Sequence, residues 1–308
     1  MLTVLCVIGT RPEAVKMAPI VLRLQSDPDF RCITLATAQH RELLDNVLNS
    51  FGITPDHDLN VMKDNQSLSY LTSKILTNLD DYLGQIKPDI VLAQGDTTTV
   101  MTSAMAAFYK KIPFGHVEAG LRTGDMSNPY PEEMNRVVAG HLASWHFAPT
   151  QSSKANLLRE GIAESKIHVT GNSVIDALHK VIKMPETHFT APFPDKKMIL
   201  MTAHRRENFG KPLQQIYKAV LHLVSNNPDI YVFYPVHPNP NVKKLAHKML
   251  NHERIILSAP LDYVPFVQAM NASYFILSDS GGVQEEAPAL GKPAVSYTHL
   301  TLPTTPYV

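Results

Sequence analysis

Cysteine is nearly missing from this chain: 308 residues hold two, Cys6 and Cys32, each inside an apolar, strand-like run. So few exclude a disulfide framework and leave buried free thiols as the expected state. No H-E-x-x-H or Cys/His spacing is present, so no zinc centre is expected. Neither sign of charge is in excess. Lys plus Arg number 28 and Asp plus Glu number 28, which argues against a nucleic-acid binder, whose domain carries a basic surplus. A local cluster of Arg, Lys and His would still suffice for a small anion. No apolar run is long enough to span a bilayer, and the opening MLTVLCVIG lacks the basic n-region and small-residue cleavage site of a leader. A cytoplasmic location without membrane contact is expected. Neither G-x-G-x-x-G nor a P-loop occurs.

What the chain does have is a core. Hydrophobic residues make up 44% and charged residues 18%, the balance of a globular protein with length enough for two domains. In the first half, apolar runs alternate with helical patterns. LTVLCVIG (2–9), RCITLAT (31–37), KPDIVLAQ (87–94), IPFGHVEA (112–119), WHFAPT (145–150) and KIHVTGN (166–172) read as strands. PEAVKMAPIVLRLQ reads as a helix with Pro12 at its first position, HRELLDNVLNSFG as one stopped by Gly52, and SLSYLTSKILTNLDDYLGQI as a longer one. A further helix carries Met101, Met105 and Phe108. The pattern restarts after Asn172, with strands at 196–204, 230–237, 254–259 and 274–280. Such alternation predicts an α/β fold of two doubly wound, parallel-sheet, Rossmann-like domains facing a cleft, 1–170 and 171–308, with ligands beyond the carboxyl ends of the strands.

Polar clusters fall at those strand ends. The stretch from His116 to Arg136, HVEAGLRTGDMSNPYPEEMNR, gathers Glu118, Asp125, Glu132 and Glu133 beside Arg122 and Arg136. Carboxylates crowded together push each other's pKa apart, so that one can serve as acid and another as base. Asp96, in QGDTTT, ends another strand. It could equally be a helix N-cap, and Glu132 with Arg136 could be an i,i+4 ion pair. GTRPEAVK (9–16) follows the first strand. Its backbone N–H groups, with Arg11 and Lys16, could hold an anion, or the stretch is an ordinary turn with two solvated cations. His204 and His237 end successive strands of the second half, where a structural role competes with a catalytic one. In DSGGVQEEAPALGKP (279–293), Ser280, Gly281 and Gly282 offer bare N–H groups at a helix start, suited to a pyrophosphate. Glu285 or Glu286 follows a turn later, placed for ribose hydroxyls. Asp56-His57-Asp58 has the look of a metal-binding D-x-D but sits in a polar loop away from these strand ends.

Taken together, GTRPEAVKMAP, TAQHRELLD, QGDTTT, HVEAGLRTGD, PEEMNR, FAPT, VTGN, TAHRREN, PVHPNPNV and DSGGVQEEAPALGKP closely resemble the non-hydrolysing UDP-N-acetylglucosamine 2-epimerases of bacteria. The resemblance implies a glycosyltransferase-B type of fold and reversible interconversion of UDP-GlcNAc and UDP-ManNAc by loss and return of UDP through 2-acetamidoglucal. It implies Asp96, Glu118 and Glu132 as acid/base residues and His204 near the leaving phosphate. Arg11, Lys16, His237, Ser280, Gly281, Gly282 and Glu286 would grip UDP, with Phe266 against the uracil. Gln39 and His40 would lie at an allosteric substrate site. No metal or other cofactor is implied, and a homodimer is. After GKP the family continues with an R-D-T-T-E-R-P-E-type loop and further helices. Here AVSYTHLTLPTTPYV follows, so about 296–308 is expected to be foreign to the family pattern and to leave the second domain incomplete.

Overall fold

A parallel strand covered on both faces reads as an unbroken apolar run, and LTVLCVI does so. It forms β1 (Leu2–Ile8), buried from Val4 onward. The computed structural model describes residues 1–37, 41–61, 66–184, 189–203, 205 and 208–296. The expectations placed on Gln39, His40 and His204, and on the tail beyond Ser296, therefore lie outside the described residues. The chain divides into two units, Met1–Ala177 and Leu178–Val308.

In the first unit β1 is joined by β2 (Phe30–Ala36), β3 (His57–Asp58), β4 (Ile90–Gln94), β5 (Phe114–Val117), β6 (Trp145–Ala148) and β7 (Ile167–Val169). They form one sheet in the order β3-β2-β1-β4-β5-β6-β7, parallel throughout. The helices are α1 (Arg11–Gln25), α2 (Arg41–Ser50), α3 (Leu68–Ile86), α4 (Thr98–Tyr109), α5 (Glu132–Leu142), α6 (Gln151–Arg159) and α7 (Ser173–Ile182), the last crossing the division between the units. Leu5, Val7 and Leu35 of the strands pack with Ile75, Leu79, Ala104 and Phe114 in the core.

In the second unit β8 (Lys197–Met201), β9 (Ile230–Pro235), β10 (Ile255–Ser258), β11 (Phe275–Ser278) and β12 (Ala294–Ser296) alternate with α8 (Lys211–Asn226), α9 (Pro240–Met249), α10 (Tyr263–Ala272) and α11 (Gly281–Ala289). Their order is β10-β9-β8-β11-β12. Its core sets Ile199, Met201, Val232 and Val242 around two buried tyrosines, Tyr217 and Tyr234, whose hydroxyls lie 3.1 Å apart. In each sheet the chain reverses its direction of growth once, between β1 and β4 and between β8 and β11. At such a switch point two loops diverge and leave a crevice beyond the strand ends.

Three local expectations change. Asp56-His57-Asp58 is not a free loop, because His57 and Asp58 pair with Leu35 and Ala36 as an edge strand. A fifth strand, β12, follows the four expected in the second half. Lys87 belongs to the end of α3 rather than to β4. It takes a left-handed conformation (φ 45°) and returns its N–H to Leu83, the turn that commonly ends a helix.

Candidate active site

Glu118 leaves the end of β5 with φ 63°, a backbone region that costs a non-glycine residue about 1 kcal/mol or more and gathers at functional sites. That turn sets its carboxylate, 8% exposed, against Lys16 of α1, with Nζ 2.5 Å from Oε1. Gln94, the last residue of β4, donates from Nε2 to Oε2, and Asn172 Nδ2 reaches Oε1 at 3.5 Å. Groups from β4, α1 and the start of α7 thus converge on one carboxylate. Beside it lies a cavity of about 270 Å³, lined by Val117, Phe147, Asn172 and Asp176 among others.

Asp96 follows β4 on the adjoining loop. It is not the N-cap of α4. Thr97 is, with its hydroxyl accepting from Val100 N. The Asp96 side chain is left for Arg136, whose Nη1 lies 3.4 Å from Oδ2, while Asn135 Nδ2 holds its carbonyl at 2.9 Å. Burial pushes the Asp96 carboxyl up to about 6, Arg136 opposes this, and the charges of Glu118 and Glu132 add to it. Asp96, Glu118, Glu132 and Lys16 are therefore close enough to feel one another.

Arg136 does not pair with Glu132 at i,i+4. It pairs with Glu133 at i,i+3 and with Asp96. Glu133 is spent as a brace, its Oε1 accepting from Thr123 N and Gly124 N at 3.0 Å each. Glu132, one residue earlier in the first turn of α5, is left half-exposed. The loop between β5 and α5 is anchored further by Arg122, which grips Glu160 through Nε at 2.6 Å and Nη2 at 2.8 Å. At Gly120, φ is 88° and an added Cβ would collide with the carbonyl oxygen of Ser153, so only glycine fits there. His116 supports the same edge from within. Its Nε2 lies 2.7 Å from Gly95 O, a carbonyl that only accepts, so Nε2 carries the hydrogen. Burial pulls this imidazole down to about 4, so it is neutral near pH 7.

The turn after β1 also differs from the expected anion cradle. Gly9 N and Thr10 N both donate to Glu13 Oε2, at 2.5 and 3.1 Å. Any anion there would meet the side chains of Arg11, half-buried, and Lys16 rather than those amides. In Asp56-His57-Asp58, Asp56 Oδ2 accepts from Thr34 N at 2.7 Å and His57 stacks on Tyr82. Among the described residues no group of three His, Cys, Asp or Glu side chains could hold a metal ion.

In the second unit, Ser280 is the N-cap of α11, and Gly281 and Gly282 are its first two residues. The amides of a first helical turn have no intrahelical acceptor, and that of Ser280 itself donates to Ser278 Oγ at 2.9 Å. Asp279, fully buried, accepts from Arg205 N at 2.9 Å and Asn208 Nδ2 at 3.2 Å, which ties the loop after β8 to the loop after β11. Glu286 is buried on the second turn of α11, with Tyr263 OH 3.4 Å from Oε1. His237 is exposed past the end of β9 and accepts from Asn239 N at 3.2 Å. Phe266 is half-buried on α10.

Three residues of this geometry were not candidates from sequence: Gln94, Glu13 and Asn172. Gln94 was detectable as the one polar residue ending an apolar run, and Glu13 as the fourth residue of the T-x-x-E capping signature begun by Thr10. Nothing in VTGN marked the side chain of Asn172.

The sequence model of the UDP-N-acetylglucosamine 2-epimerase family matches residues 22–300. The UDP-N-acetylglucosamine 2-epimerase of Escherichia coli K12 is 52% identical over 303 residues, 95% of this chain and 81% of that protein. The enzyme of the same name from Bacillus subtilis is 50% identical over 299 residues, 96% and 78% of the two chains. Among solved structures, UDP-GlcNAc 2-epimerase from Neisseria meningitidis bound to UDP-GlcNAc is similar with a TM-score of 0.87 and 48% identity, covering 97% of this chain and 83% of the other.

Proposed function

This chain belongs to the UDP-N-acetylglucosamine 2-epimerase family, and from that premise we propose that it inverts carbon 2 of UDP-GlcNAc to give UDP-ManNAc, by expelling UDP and adding it back. A carboxylate takes the proton from carbon 2. The electrons of that bond form the carbon 1–carbon 2 double bond of 2-acetamidoglucal, and the pair of the carbon 1–oxygen bond leaves on the β-phosphate of UDP. A proton then enters carbon 2 on the opposite face and the phosphate oxygen returns to carbon 1. The cycle neither gains nor loses electrons.

The observation that carries this reading is the pairing of unlike carboxylates at one switch point. Glu118 is held by donors on both oxygens, and Oε2, with the Gln94 amide as its one donor, keeps a further lone pair for a proton. It suits the base. Asp96, raised to about 6, carries its proton for part of the time near neutral pH and suits the acid on the other face. In the reverse direction the two exchange tasks, with Glu132 as the third acid/base group. Carbon 2 bears no acidic proton, so the base depends on an easy departure of UDP, and groups that hold the phosphates ease it. We assign these to Arg11, Lys16, His237, the Ser280-Gly281-Gly282 turn and His204. Glu286 would take the ribose and Phe266 the uracil. Gln39 and His40 remain the candidates for a regulatory substrate site, and a homodimer is the expected assembly, checked by light scattering. Among the described residues no helix is long and apolar enough to cross a membrane.

An NMR time course of UDP-GlcNAc in heavy water tests the reading. UDP-ManNAc should appear with deuterium at carbon 2 of both sugars and little free UDP. Glu118→Gln should abolish exchange and leave UDP affinity in place. Turnover without deuterium at carbon 2 would overturn the mechanism, and accumulation of free ManNAc with UDP would reassign the enzyme as hydrolysing.

A further inference from the structure

Glu13 is fully buried, and among the described residues no Lys or Arg pairs with it. Its Oε2 accepts from Gly9 N and Thr10 N. This is the local half of a capping box, and capping requires no more. Oε1 goes elsewhere: it accepts from Thr97 Oγ1 at 2.6 Å, 84 positions along the chain. Gly9 and Thr10 form the loop that leaves β1 toward Lys16. Thr97 follows Asp96 on the loop that leaves β4. These two loops flank the switch point, and Glu13 is bonded to both.

The surrounding packing shows how closely they approach. A Cβ on Gly9 would collide with Thr99 Oγ1 and stand 2.8 Å from Thr37 Oγ1, and those two hydroxyls are bonded to each other at 3.0 Å. The loop after β1 therefore lies directly on the first turn of α4. We propose that Glu13 is a positioning residue of the epimerase, a clip that locks the two switch-point loops together and so holds Lys16 and Asp96 in fixed relation to Glu118. The proposal rests on the reading that Glu118 and Asp96 move protons. Its chemistry tolerates either protonation state. Burial pushes the Glu13 carboxyl up to about 7 against three hydrogen bonds that favour the ionised form. The ionised group accepts from Thr97, and the neutral group can donate to it, because a hydroxyl does both.

The test uses the full chain and compares Glu13→Gln, Glu13→Ala, Thr97→Val, Thr97→Ser and the E13A/T97V double variant. In Glu13→Gln the amide oxygen keeps the Gly9 and Thr10 amides and the NH2 group donates to Thr97, so the clip survives. Glu13→Ala and Thr97→Val each cut it, the first also freeing the Gly9 and Thr10 amides and the second the Val100 amide that Thr97 caps. We expect E13A and T97V to lose kcat about 30- to 100-fold, the scale for a catalytic group displaced by about 1 Å. KM should stay nearly unchanged, and the double variant should be no slower than the slower single, because both cuts remove one connection. E13Q and T97S should stay within about threefold of the parent. Amide hydrogen exchange provides a readout independent of turnover. E13A should raise exchange at 9–10 and also at 95–98, and E13Q should restore both. Unchanged exchange at 95–98 in a folded E13A, or wild-type kcat in it, overturns the clip. If E13A does not fold, T97V decides through exchange at 9–10: the Thr97 hydroxyl also caps α4, but loss of that cap acts on the first turn of α4, so raised exchange at 9–10 reports the clip and unchanged exchange there overturns it. A parent enzyme that shows no turnover would defeat the functional reading, while the exchange data would still judge the clip.

Discussion

Replacing Lys16 by Met should strand a charge that the fold cannot release. Lys16 Nζ stands 2.5 Å from Glu118 Oε1, with side chains 18% and 8% exposed. Removing one partner of a fully buried pair costs about 3–5 kcal/mol, because the other charge stays desolvated. Here the Gln94 amide remains on Oε2, which lowers the expectation to about 2–3 kcal/mol. Glu118→Gln should cost less, about 1 kcal/mol, since the more exposed ammonium can turn toward water. Combining the two removes the stranded charge, so K16M/E118Q should be more stable than K16M, with a coupling of about 1–2 kcal/mol. The chain has one tryptophan, Trp145 on β6 of the first unit. Its fluorescence in urea therefore reports this unit without the other. At about 2 kcal/mol per molar of urea, K16M should move the midpoint down by roughly 1 M. A midpoint for K16M within about 0.2 M of the parent, or single effects that add, would refute the reasoning.

Gly9→Ala should destabilise the first unit by about 1–3 kcal/mol, the range for overpacking, because the new methyl would run into Thr99 Oγ1; the same urea midpoint measures it. Burial holds His146 and His116 near 4 in the folded chain, against about 6.5 unfolded. The folded state thus binds fewer protons, and the rings' contribution is complete above about 6.5 and is lost as pH falls toward 4. Both His146 nitrogens lack a hydrogen-bond partner among the described residues. His146→Phe should then lose about 2–3 kcal/mol less than the parent between pH 7 and 4.5, and parallel stability–pH curves would contradict this. In the second unit, Asp279→Ala removes the acceptor that holds Arg205 N and Asn208. UDP affinity by calorimetry should fall about tenfold, a loss of roughly 1.4 kcal/mol.

The sheets were legible because their strands carry unbroken apolar runs. KMILM of β8 and IVLAQ of β4 are buried from end to end or nearly so, and such runs are hard to mistake when helical patterns separate them. Strand β3 left no such trace. Two residues, His57 and Asp58, one exposed and one half-buried, join the sheet because backbone groups of β2 need partners, and pairing of that kind is indifferent to side chains. Strand β12 was hidden similarly: Ala294 to Ser296 has no apolar run of its own. At Lys87, a polar residue before Pro88 extends the strand pattern in sequence, while its left-handed turn belongs to the helix behind it.

At the site, sequence separated the polar residues from the core but not their partners from one another. Asp96 and Glu118 stood out as charges at strand ends, and Glu132 as part of the carboxylate-rich stretch that follows β5. The distinction between Glu132 and Glu133 did not, although Glu133 is bonded to Arg136, Thr123 and Gly124 and Glu132 is left half-exposed. Adjacent residues at a helix start point about 100° apart, and which faces inward depends on where Arg136 and the Thr123 amide lie. The same logic explains Glu13. As the close of a capping box it is a local residue, and its second oxygen finds Thr97 only because β1 and β4 are neighbours in space. The proposed acid/base side chains are announced by their own chemistry, whereas the groups proposed to aim them are ordinary residues brought together by sheet order. Cutting the bond between Glu13 and Thr97 tests that order directly, for it should slow the reaction while touching none of the groups assigned to the substrate.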